Sequence, residues 1–152
     1  MKEFNSIEDI LDFAINEEQM AADFYTELAG KMKHREMKDT FEQYALEELG
    51  HRAKLEAIKN GKTYQVSEAK IADLKIGDYL LDVDVDKSNI TYQEALILAM
   101  KKEKIAFRLY NDLASASTDE PSKKLFLMLA QEEAKHKLRF EVEYDSNILT
   151  EN

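Results

Sequence analysis

Two Glu-x-x-His pairs, Glu48–His51 and Glu133–His136, stand 85 residues apart in this 152-residue chain. A three-residue spacing puts both side chains of a pair on one face of a helix, where a carboxylate and an imidazole can hold one metal ion together. Two more acids, Glu18 and Glu103, keep the 85-residue offset, and each is followed seven positions later by a tyrosine, Tyr25 and Tyr110. Seven residues make two helical turns, so each phenol lies on the stripe of its acid and can hydrogen-bond a carboxylate on a facing helix. Ala21 and Ala106, Leu28 and Leu113, Phe41 and Phe126, and Ala45 and Ala130 share the same offset. An internal duplication accounts for this register; independent coincidences do not.

The four acids stand out because each falls inside an apolar stripe, where an unpaired charge is expensive to bury. With about 100° of rotation per residue, Glu18 projects with Leu11, Ala22 and Tyr25, whereas Glu17 points aside. The same projection selects Glu48 over Glu47, Glu103 over Lys102 and Lys104, and Glu133 over Glu132. Four ionised glutamates balance two divalent cations, and neutral His51 and His136 complete the set. Mixed carboxylate and imidazole donors suit Fe or Mn, with Zn also chemically acceptable; Ca would favour oxygen alone.

Four helices are needed to position these residues, and the periodicity supplies them over about 6–32, 36–60, 91–116 and 119–145. Ser6 with Asp9 starts the first. Asn60-Gly61 stops the second, Thr91-Tyr92-Gln93-Glu94 forms a capping box for the third, and Thr118, Asp119 and Pro121 mark the fourth. The third helix is expected to present Leu96, Ala99, Met100, Phe107, Tyr110 and Ala114 to the core. Residues 61–90 lose the pattern and are too long for a tight turn, so they read as a crossover. The expectation is one all-α domain over 1–152, a ferritin-like four-helix bundle of two helical hairpins joined by a long crossover.

Composition agrees and narrows the chemistry. Charged residues make up 34% and apolar residues 44%, with four glycines and one proline. The absence of cysteine excludes disulfides, thiolate zinc sites, iron–sulfur clusters and cysteine nucleophiles within these residues. A net charge of −10 without a basic stripe argues against nucleic-acid and anionic-membrane partners. No apolar run reaches the roughly 18 residues of a membrane span, and the acidic start Met1-Lys2-Glu3 is unlike a leader, so a cytoplasmic protein is expected. His34 reads as a solvated loop histidine, Arg52 and Lys137 as side chains snorkelling to the bundle rim. The Asp82, Asp84, Asp86 run reads as solvated crossover, since it lacks the glycine and closing glutamate of a calcium loop.

On Glu18 with Tyr25, Glu48-x-x-His51, Glu103 with Tyr110 and Glu133-x-x-His136, the chain resembles the rubrerythrin group of the ferritin-like superfamily over nearly its whole length. The resemblance implies a non-haem site of two irons, bridged by Glu48 and Glu133, with Glu18, Glu103, His51 and His136 as terminal ligands and Tyr25 and Tyr110 in support. It also implies reduction of hydrogen peroxide or O2, or oxidation of ferrous iron, and bundles of this group often form homodimers. Two departures qualify the picture. The well-known members carry a rubredoxin domain with a four-cysteine iron, so a chain without cysteine would draw electrons from an external donor protein such as a rubredoxin. They also place an extra carboxylate where this chain has Ala106, which turns the expectation toward an oxidase, a ferroxidase or a metal-binding, storage or sensing role without turnover.

Overall fold

A computed structural model describes Phe4, residues 6–80 and residues 90–151 of the chain. Helix α1 spans Ile7–Lys31 and α2 Arg35–Gly61; the short α3 spans Glu68–Ala72, followed by a 3-10 turn at Ile76–Tyr79. Helices α4, Tyr92–Ala116, and α5, Glu120–Glu151, complete the order. Antiparallel α1 and α2 form one hairpin and α4 and α5 the other.

Local chemistry sets the helix ends. The Ser6 hydroxyl accepts the Asp9 amide at 3.2 Å and opens α1. At α4 the Thr91 hydroxyl accepts the Glu94 amide at 3.1 Å while the Glu94 carboxylate accepts the Thr91 amide at 3.2 Å, satisfying two otherwise orphaned donors. The stop expected at Asn60-Gly61 lies one residue later: Gly61 stays helical and Lys62 takes the left-handed conformation, φ 50°, with its amide on Ile58 and Lys59 carbonyls. His34 is exposed at the start of α2, as expected for a loop histidine.

The apolar stripes pack as two layers. One holds Ile10, Leu11, Leu55, Leu113, Phe126 and Leu129; the other holds Phe24, Leu28, Phe41, Leu96, Ala99 and Phe140. Burial of each large side chain contributes about 1.5–3 kcal/mol, and the duplicated pair Phe41 and Phe126 is fully buried in opposite layers. The charged residues of the four stripes lie between these layers.

Three expectations change. The crossover is partly structured: Ser67 donates to the Ala116 carbonyl at 2.7 Å and Thr118 to that of Gln65 at 2.9 Å, pinning it beside the α4–α5 turn. Buried Ile71 and Tyr79 then cover the bundle. Helix α5 continues beyond 145 to Glu151. Phe107, placed in the core by the third-helix stripe, is 40% exposed, because that stripe is narrower than its apolar residues suggest. The Asp82, Asp84, Asp86 run lies outside the described residues. No helix among the described residues is long and apolar enough to cross a membrane.

Candidate metal centre

All six proposed ligands meet in the layer between the two apolar clusters. Glu18, Glu48, His51, Glu103, Glu133 and His136 are each at most 3% exposed. They form two groups able to hold a metal ion, Glu18, Glu48, His51 and Glu133 on one side, and Glu48, Glu103, Glu133 and His136 on the other. Glu48 and Glu133 belong to both groups.

Both histidines turn Nδ1 inward. His51 Nδ1 lies 2.9 Å from Glu133, 3.4 Å from Glu48 and 3.5 Å from Glu18, and His136 Nδ1 lies 3.3 Å from Glu48 and 3.5 Å from Glu103. Among the described residues, Glu18 Oε2, Glu48 Oε1, Glu103 Oε2, Glu133 Oε1 and both Nδ1 atoms are buried without a hydrogen bond. Buried polar atoms ordinarily find partners, so six orphans converging on one layer fit a bound cation. The donor set, two imidazoles and four carboxylates, suits Fe, Mn or Zn.

Without a cation, protons compensate instead. Burial, reinforced by the charges of Glu103 and Glu18, pushes Glu48 up to about 8, and burial with the same neighbours raises Glu133 well above the carboxylate range. Burial alone would lower the histidines, but the surrounding carboxylates outweigh it and hold His51 at about 9 and His136 at about 10.

The tyrosines act crosswise. Tyr25 on α1 donates to Glu103 on α4, and Tyr110 on α4 donates to Glu18 on α1. Each phenol thereby fixes a buried carboxylate of the other half, and burial keeps both phenols well above their usual range and protonated.

Three participants escaped the sequence reading. Glu132 hydrogen-bonds His51 Nε2, and Glu47 approaches His136 Nε2 at 3.5 Å. These acids are themselves 85 apart, a signal that the stripe projection discarded because they stand one residue off the ligands. Tyr44 stacks on the His136 ring, centroids 3.9 Å apart at 21°. Arg52 and Lys137 are half-exposed and pair along their own helices, Arg52 with Glu56 at 2.5 Å and Lys137 with Glu141, leaving the buried carboxylates to one another.

A cavity of about 40 Å³ opens on the centre between α1 and α4, lined by Ala14, Ala21 and Ala106 beside Glu18 and Glu103. Half-buried Glu17 and Lys102 stand at its wall. At on the order of 10–15 Å³ per water, that volume takes about three water-sized molecules.

Fold and site together define a four-helix-bundle protein with a buried cluster of carboxylates and imidazoles able to hold metal. The rubrerythrin family model matches residues 9–144, so the chain belongs to the rubrerythrin family. No curated protein matches it. Among solved structures it is similar to a Thermotoga maritima protein assigned to the ferritin-like diiron-carboxylate group, with 22% identity and a TM-score of 0.76 over 97% of this chain and 99% of that one. It is also similar to a hypothetical protein from Pyrococcus furiosus, 26% identical, TM-score 0.70, over 92% and 89%.

Proposed function

We propose that this chain is a non-haem di-iron oxidoreductase that reduces hydrogen peroxide or O2, or oxidises ferrous iron, with electrons from an external donor protein such as a rubredoxin. The observation that carries the reading is the pair of ligand groups sharing Glu48 and Glu133 and facing a cavity of oxidant size. Two ferrous ions, when bound, supply the two electrons that with two protons convert one peroxide to two waters. Glu18 and His51 would hold one ion, Glu103 and His136 the other, and the two glutamates common to both groups would bridge them.

The chain's own residues prepare the site for that chemistry. Tyr25 and Tyr110 orient Glu103 and Glu18 so that one oxygen of each remains free for a cation. Leu109, Ile105 and Phe13 wall the cavity and limit water, while Ala14, Ala21 and Ala106 leave room for a two-oxygen ligand. Ala106 also favours a second reading, binding or storage of iron without turnover, because no carboxylate projects into the cavity from that position.

The test uses the purified chain loaded anaerobically with ferrous iron, then exposed separately to peroxide and O2. Two irons per chain and an oxo-bridged ferric spectrum within the mixing time support the oxidoreductase. Two bound irons that resist both oxidants support storage, and no bound iron defeats both readings.

A further inference from the structure

The two halves of the centre repeat their candidate ligands but not the residue at the position that stacks on a histidine in one of them. Tyr44 lies flat on His136. One repeat later the position is Leu129, fully buried in the apolar layer, so the His51 half has an aliphatic side chain where the His136 half has a phenol ring.

The outer ring nitrogens differ accordingly. His51 Nε2 is hydrogen-bonded to Glu132. Among the described residues His136 Nε2 makes no hydrogen bond: the Glu47 carboxylate at the corresponding position stays 3.5 Å away, and Glu47 Oε2 is itself buried without a hydrogen bond. Tyr44 is one turn before Glu47 on α2, so the ring that holds His136 by its face and the carboxylate that faces its Nε2 are placed by the same helix, and His136 is held where that carboxylate stays at 3.5 Å. A carboxylate on the far nitrogen of a ligating histidine fixes the ring and makes the near nitrogen a better donor, and losing it costs about 10–100-fold in metal affinity.

We infer that Tyr44 makes the two metal positions inequivalent: the position of Glu18 and His51 fills first and tightly, and the position of Glu103 and His136 holds its ion weakly and exchanges it. The inference rests on the two-metal reading above. Tyr44 is a positioning residue, acting on the metal through His136. The consequence is a centre that keeps one resident ion while the second is free to load and leave, although the ligands themselves are identical in type on both sides.

The experiment is an anaerobic titration of the metal-free chain with Co(II), followed by visible absorption and by competition with a chelator. The parent is expected to bind two ions in two steps about tenfold or more apart. Tyr44→Leu copies the Leu129 environment and should merge the steps, whereas Tyr44→Phe keeps the stacked ring and should keep them apart. Glu132→Gln should weaken the first step alone, a reading available even if Tyr44→Leu does not fold. Mössbauer spectra of the ferrous-loaded parent should show two iron environments and those of Tyr44→Leu one. Two equal steps in the parent, or a separation that survives Tyr44→Leu, would overturn the inference while leaving the two-metal centre intact; a parent that binds no cobalt would overturn both.

Discussion

Helices α1 and α4 are the same element twice, yet their surroundings diverge. Each carries one buried glutamate and one buried tyrosine at matching positions. Outside those, α1 is strongly acidic, with six Asp or Glu against one lysine, whereas α4 has two acids against four basic residues. Glu17 on α1 corresponds to Lys102 on α4, and the two line the same cavity. The lesson is which constraints survive duplication. A buried carboxylate that shares a cation, or a phenol bonded across the bundle, cannot change alone without leaving a partner unsatisfied. A half-exposed side chain is bound by no such rule.

The comparison breaks most completely at the shared ligands. Glu48→Ala or Glu133→Ala removes a residue common to both groups, so each should abolish stoichiometric binding of two ions, as metal analysis would show. His51→Ala and His136→Ala should each remove one ion and leave helix content unchanged by circular dichroism; equal metal content in both variants and the parent would refute the ligand assignment.

The apolar layers offer a sharper test of symmetry. Phe41→Ala and Phe126→Ala should each cost about 3–5 kcal/mol, measured by denaturant unfolding, since both rings are fully buried at matching positions. A large inequality between them would mean that the halves share ligands but not packing.

The pH dependence follows from the raised groups. Glu48 moves from 4.5 to about 8, His51 from 6.5 to about 9, and His136 from 6.5 to about 10. The folded state binds these protons more tightly than the unfolded state, so their stabilisation is complete below the unfolded values and disappears as pH rises through the folded ones. The metal-free chain should therefore melt at lower temperature at pH about 9 than at about 6. Loading metal at neutral pH should release protons, detectable in weakly buffered solution, and should suppress that alkaline loss.

The smallest effects belong to the crossed tyrosines. Tyr25→Phe should loosen Glu103 and Tyr110→Phe should loosen Glu18, each weakening mainly the ion held on the opposite helix by a fewfold in a metal competition assay. A variant that weakened only the ion on its own helix would contradict the crossed arrangement.

Much of this was readable before any coordinates. Glutamates inside apolar stripes, Glu-x-x-His spacing and the 85-residue register select the same six residues that the fold gathers into one layer. Helical period and the cost of burying charge are local rules, and they determine which face of each helix is inward and which residues on it need a partner. They do not determine how far one helix slides or rotates against another. Only the tertiary structure therefore decides that Tyr25 meets Glu103 and not its own Glu18, that Glu132 reaches His51 from one residue off the stripe, and that Tyr44 lies on His136. The candidate ligands are a property of each helix; the asymmetry around them is a property of how the helices pack.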